Sequence, residues 1–282
     1  MSQDRIPGEK RIAKRYSAFR KDIMSTWESF SFFQFILDNI SIQIKKGEFP
    51  NFQLEHLSNI KTGNDYKRKF DKKDTLGIVS HLSVRINPTR ALLEPVAYTE
   101  NYLQDLCEIV YKDFPQRLLG KDIDKDNSES EKQRAKLMSV IIKATDREEI
   151  LEKIIEEKIR GIFYGNPLEF YIKDKANIGI GDYFKQNHII TQKKIAEIIA
   201  RRNIYTHNEG RVDSKYLREV ELPQFRLNEK VKIDSLYIRE SIIILRGLAA
   251  TVTKLVIENA YSKTCTSTLI NQNAYSFAMN YK

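Results

Sequence analysis

The stretch Glu197-Ile-Ile-Ala-Arg201-Arg202-Asn203-Ile204-Tyr205-Thr206-His207-Asn208-Glu209-Gly210-Arg211-Val212-Asp213 is the most informative in the chain. Apolar residues recur at helical spacing through Ile195, Ile198 and Ile199, and Gly210 supplies a stop. At about 100° per residue, with Ile195 at zero, Ile198, Ile199 and Arg202 fall at roughly −60°, +40° and −20°. The spacing predicts Arg202 in the middle of the apolar stripe, where a guanidinium is costly to desolvate unless it is paired or faces a polar cavity. Asn203 and His207 share a flank at roughly +80° and +120°, and Arg202 stands about 140° from His207. Within one chain the Arg and the His meet only through the long Arg stem or fraying near Gly210. Two copies packed face to face would gather two of each around one cleft. Otherwise the same residues read as an Arg that snorkels to water and a His whose cation favours the C-terminal helix dipole.

Outward from this helix, which starts about Thr191, the pattern stays helical. Thr145-Asp146-Arg147-Glu148 reads as a capping box opening a helix through Ile150, Leu151, Ile154, Ile155, Ile159 and Ile162 that ends near Gly165-Asn166-Pro167. Tyr98, Tyr102, Leu103, Leu106, Ile109 and Val110 form a stripe ending before Pro115. Ile238, Ile242, Leu245, Ala249, Val252 and Val256 alternate steps of four and three, a helix-packing seam, internal or between chains. Near the N-terminus, Ile12, Tyr16, Phe19 and Ile23 among Lys14, Arg15, Arg20 and Lys21 predict a basic amphipathic helix over 8–25. The run from Phe30 to Ile40 reads as a second helix, with Phe33, Ile36, Leu37 and Ile40 on one face.

Residues 61–74 read as an exposed loop or charged helix face, with Asp74-Thr75 starting the next element, and residues 120–134 as a mobile loop. Phe225 to Ile233, alternating around Asn228-Glu229, predicts a small hairpin, the only β-structure expected. The fold class is therefore all-α. A basic, mainly helical region over 1–90 precedes a helical domain over 91–262 and a tail over 263–282.

With 282 residues, 41% of them hydrophobic, the chain can bury one large core or two modest ones. Its apolar runs are interrupted: Ser29 to Leu37 is too short, and Arg246 and Lys254 cut Ile242 to Ile257, so no membrane span is expected. Asp4, Arg5, Glu9, Lys10 and Arg11 do not follow the order of a secretory signal. Cys107 and Cys265 can build neither a disulfide framework nor a thiolate zinc site, and a cytoplasmic location is expected. The net charge of +9 is concentrated: residues 1–90 hold 17 Lys and Arg against 10 Asp and Glu, the remainder 30 against 28. Such a field draws polyanions, of which RNA is the commonest in the cytoplasm.

Other motifs carry little. Asn177-Ile-Gly-Ile-Gly181-Asp182 holds GxG without a third glycine or a phosphate-loop lysine and reads as a turn. His56, His81 and His188 have no second His or Cys at metal-ligand spacing, so no metal and no cofactor is called for. No Gly-x-Ser-x-Gly elbow is present, and Glu156-Glu157 reads as a solvated helix face with Lys153 and Arg160 nearby.

Arg202-Asn203-x-x-x-His207, followed by Asn208-x-Gly210-x-Val212-Asp213-x-x-Tyr216-Leu217, resembles the R-x4-6-H motif of the HEPN superfamily, over roughly residues 90–262. The resemblance implies a helical bundle that dimerises and lines its interface with Arg202 and His207 from both chains. It implies a metal-independent endoribonuclease of toxin, abortive-infection or antiviral defence, with RNA as substrate and an antitoxin or regulatory partner to be looked for. By that analogy Arg202, Asn203 and His207 are catalytic, Arg201 and Arg211 contact RNA, and Glu197 orients the site by pairing with Arg201 or reaching Arg202. The rival expectation is a non-catalytic member of the same superfamily that binds RNA, a nucleotide or a protein through the same cleft.

Overall fold

No glycine or proline interrupts the chain between Gly8 and Gly47, and the two expected N-terminal helices are one 39-residue helix, α1 (Gly8–Lys46). Gly47 ends it in the left-handed region at φ 79°, with the Glu48 amide donating back to the Gln43 carbonyl at 2.9 Å. In the computed structural model, residues 6–56, 66–118, 146–163, 170–171, 174–221 and 223–281 are described. The expected loop over 120–134 lies outside them. After α1 come β1 (Phe52–His56), β2 (Tyr66–Phe70), α2 (Lys72–His81), a π-helical segment (Leu82–Ile86) and α3 (Asn87–Asp113). A 3-10 turn (Pro115–Leu118), α4 (Arg147–Phe163), α5 (Tyr183–Asn187), α6 (Ile189–His207), α7 (Ser214–Glu219), α8 (Ser235–Asn259) and α9 (Thr268–Asn280) complete the order.

The fold is all-α. Residues 72–113 run on as one helical rod, because Leu82 and Asn87 both keep right-handed helical angles. The wide π turn sits just before Pro88, which has no amide to donate to the ladder. α8 is the central element, packed by α1, α3, α6 and α9, so its seam is internal. Gly247 lets α9 come close: a Cβ there would stand 2.6 Å from the Phe277 ring. The expected tail thus contains a helix, capped by Ser267 and burying Ile270, Ala274 and Phe277. Its Asn-rich sequence hides that periodicity.

One hydrophobic core runs from Ile12 to Phe277 through α1, α3, α4, α6, α8 and α9. The residue 90/91 boundary falls inside α3, and the core is continuous across it. Two satellites flank it: Leu37, Ile44 and Val79 between α1 and α2, and Ala200, Ile204, Val212, Tyr216, Val220 and Val231 around the end of α6.

Three local expectations need correction. In the second half of α1 the inward residues are Phe30, Leu37 and Ile44, and Phe33 is exposed. α2 is capped by Asp71, whose carboxylate accepts the Asp74 amide, so it starts earlier than Asp74. The Asp146 carboxylate accepts the Glu149 amide at 2.8 Å at the start of α4; Thr145, with which the expected capping box begins, lies outside the described residues. The hairpin is β1–β2, in register Phe52 to Phe70, with those two rings stacked at 5.1 Å. Residues 225–233 form no hairpin of their own, because the chain after α6 takes their backbone partners.

Candidate functional site

α6 is wedged between α3 on one side and α7 and α8 on the other, so it buries more than one stripe: Ile195, Ile198 and Ile199, but also Ala196, Ala200 and Ile204. This wide burial changes which arginine is inside. Arg201 is the buried one at 7% exposure, and Arg202, expected mid-stripe, is only part-buried against α3.

Arg201 is enclosed by paired groups. Glu197 Oε1 accepts from Arg201 Nε at 2.6 Å and from the Tyr216 hydroxyl at 2.9 Å, and Oε2 accepts from the Tyr237 hydroxyl at 2.6 Å. The guanidinium lies 3.8 Å from the Tyr237 ring centroid and 5.4 Å from that of Phe225, and donates to the Lys232 carbonyl. Burial, then the Glu197 carboxylate, pushes both phenols well above their ordinary value, so both stay protonated and act as donors. Glu197 thus pairs with Arg201, not Arg202. It leaves Arg202 to find another acid.

That acid is Glu100 of α3, which forms an ion pair with Arg202 Nη2. Burial lifts the Glu100 carboxyl above its ordinary value, and the Arg202 charge pulls it only part of the way back. Arg202 Nε is buried with no hydrogen-bond partner among the described residues. Asn203 is half-buried, and His207 is exposed as the last residue of the helix. Among the described residues no hydrogen bond joins Arg202, Asn203 and His207 to one another. The separation of about 140° on the wheel keeps Arg202 and His207 apart within one copy.

The residues after His207 clamp the helix end. Gly210, at φ 78°, donates its amide to the Ile204 carbonyl, and a Cβ there would stand 2.7 Å from Tyr205 Cζ, so the position requires glycine. Val212 exchanges backbone bonds with Asn228 and Glu229, Val231 donates to Gly210, and the Tyr205 hydroxyl donates to the Val231 carbonyl. Asp213 caps α7 by accepting the Tyr216 amide at 2.7 Å. Arg211 is exposed, with its guanidinium reaching the Asn228 carbonyl at 3.3 Å. Arg85 of the π segment meets Glu209 at 3.6 Å, which sets the α2–α3 rod beside the turn after His207.

The remaining candidates fall where a turn or a core predicts. Asn177 to Gly181 wraps the Asp174 carboxylate, which accepts the amides of Ile178, Gly179 and Gly181. His81 is exposed. His188 is buried against Phe277 with Nδ1 on the Tyr281 carbonyl. Among the described residues no three His, Cys, Asp or Glu side chains group as metal ligands, and no helix is long and apolar enough to cross a membrane. Glu100 and Tyr237 have no signal in the sequence, since their link to α6 spans distant elements. Tyr216 belongs to the motif that begins at Arg202. No protein-family model, curated protein or solved structure matches the chain.

Proposed function

We propose that the protein is a metal-independent endoribonuclease of HEPN type that works as a homodimer. The observation that supports this reading best is the end of α6. Arg202, held by Glu100, and exposed His207 occupy its last turns, and the motif's downstream residues fix where that helix stops.

Imidazole is the side chain whose ordinary titration lies nearest neutral pH, which suits proton transfer in both directions. In the dimer two His207 side chains face one scissile phosphate. One takes the proton of the ribose 2′-hydroxyl as that oxygen attacks phosphorus. The other gives a proton to the departing 5′-oxygen as its bond to phosphorus breaks. The Arg202 guanidinium matches the phosphorane oxygens in fork geometry and stabilises their added charge. Asn203 orients the group, and exposed Arg211 contacts a neighbouring phosphate. Arg201 and Glu197 hold the helix from inside. The products are a 2′,3′-cyclic phosphate and a 5′-hydroxyl. On the same resemblance the enzyme acts in the cytoplasm, in toxin, abortive-infection or antiviral defence, restrained by an antitoxin or other regulator.

The test is purified protein with labelled RNA and with DNA of the same sequence, in excess EDTA. RNA alone should be cut, leaving cyclic phosphate. Cleavage of DNA, or RNA products ending in 3′-hydroxyl, would contradict the reading, because DNA lacks the attacking hydroxyl. RNA binding with no cleavage would favour the non-catalytic alternative.

A further inference from the structure

Arg11, Arg20, Arg202 and Arg246 each bury an Nε that meets no hydrogen-bond partner among the described residues. Arg11 and Arg202 carry a carboxylate elsewhere on the guanidinium, from Asp113 and Glu100. Arg20 and Arg246 pair with no acid among the described residues. The acceptor that Arg246 does find is the Met24 thioether, 3.1 Å from Nη1 and a weak one. A partly buried guanidinium without a counter-charge is costly, so two of them ask for a reason.

The two groups share one place. Tyr16, Arg20 and Met24 follow one another four residues apart on α1, Arg246 of α8 reaches Met24, and Arg246, Asn273 of α9 and Arg20 all act on the Tyr16 hydroxyl. Tyr16 is fully buried, and its hydroxyl has no hydrogen-bond partner among the described residues. Burial pushes that phenol up to about 12, with Arg246, Asn273 and Arg20 pulling it only part of the way back, so it keeps its proton and remains a donor. Asn273 gives its amide hydrogen to the Leu269 carbonyl, and α9 carries no charged residue at all. The junction therefore gathers two guanidinium forks and a hydroxyl around no carboxylate.

We propose that the junction of α1, α8 and α9 is a binding site for a phosphoryl group, held by Arg20, Arg246 and the Tyr16 hydroxyl. Buried donors in excess of acceptors are what an oxyanion satisfies, and its charge also relieves the repulsion between the two cations. Forks arriving from two helices can each take a different pair of oxygens on a tetrahedral group, whereas a carboxylate has one pair to share. Both arginines are partly exposed, so the group enters from solvent, and their buried Nε atoms mark the inner end of the site. The phosphoryl group belongs either to a small phosphorylated molecule or to a nucleic-acid backbone. No residue of α6 takes part, so the site stands independently of the nuclease reading.

The experiment is thermal melting of the full chain in chloride buffer of fixed ionic strength, titrated with inorganic phosphate. Wild type should show a saturable rise in Tm of about 5 °C once phosphate is well above its dissociation constant. Arg20→Gln and Arg246→Gln should each lose most of that rise, and Tyr16→Phe should weaken binding about tenfold. Lys14→Gln, which removes an exposed charge from the same helix, should respond like wild type. In chloride alone the two arginine variants should melt no lower than wild type, because each removes an unpaired charge; arginines that merely brace the helices would melt lower when replaced. A second arm measures binding of a short labelled single-stranded DNA. No response to phosphate, with DNA binding weakened about tenfold by both arginine changes and not by Lys14→Gln, would assign the site to a backbone phosphate. A wild type indifferent to both probes, or responses equal in wild type and in both arginine variants, would overturn the proposal.

Discussion

Arg201 and Arg202 are neighbours in sequence and opposites in environment. Arg201 is sealed between a carboxylate, two phenols and two aromatic faces, whereas Arg202 reaches across to one acid at the edge of the bundle and remains partly open. On the proposed reading, one helix divides its charges between architecture and chemistry. An acid at i−4 locks the first guanidinium inward, and the helix turn of about 100° then carries the second toward α3. A side chain with each guanidinium nitrogen already engaged can hold a fold. One with capacity to spare can meet a substrate.

Substitutions should separate the two roles. Arg202→Ala should lower RNA cleavage by about 10²–10³-fold, the cost of removing one transition-state donor, with a melting temperature within a few degrees of wild type. Arg201→Ala should do the reverse. It leaves Glu197 buried without its cation, costing about 3 kcal/mol and lowering Tm by roughly 10 °C, while the remaining folded enzyme stays active. Equal stability losses from the two variants would erase the distinction.

A smaller effect is expected at Glu100. Because burial lifts its carboxyl, the folded protein binds that proton more readily than the unfolded chain does. Stability from this group is therefore greatest in acid and falls as pH rises from the ordinary carboxylate value through the elevated one. Glu100→Gln should remove that slope in a melting series and change cleavage only a few-fold, since the amide oxygen still accepts from Arg202. The smallest effect concerns a third enclosed group, His188, which has no counter-charge among the described residues. Burial lowers the His188 imidazole despite its bond to the Tyr281 carbonyl, so its contribution is present above the ordinary His value and is lost as pH falls below it. Melting at about pH 7 and about pH 5 should show α9 loosening in acid, and His188→Gln should flatten that dependence.

Much of this fold is legible in the sequence where one apolar face is continuous. The stripes of α3, α4, α6 and α8 are such cases, and the all-α class follows from them. The pairing of Glu197 with Arg201 is legible too, because both partners lie on one helix four residues apart. Less is visible where burial comes from several sides. The wheel places Arg202 inside because it assumes a single stripe, whereas α7 and α8 bury the Arg201 side of α6 as well. Glu100 is 102 positions from its partner, and Tyr237 is 40 from Glu197, so no local spacing announces either contact. The strand pair is hidden by the run Tyr66-Lys-Arg-Lys-Phe70, whose charges suggest a loop although Phe52 and Phe70 stack across the ladder. The glycine and aspartate after His207 are visible as motif residues. Only the packing shows that they brace the helix end.

The most direct measurement is cleavage of end-labelled RNA in EDTA by wild type and by His207→Ala, with RNA binding measured on the same samples. A wild type that cuts and a His207→Ala variant that binds RNA equally but leaves it intact is the predicted result. Cleavage undiminished in His207→Ala, or a well-folded dimeric wild type that binds RNA and never cuts it, would contradict the role assigned to the end of α6.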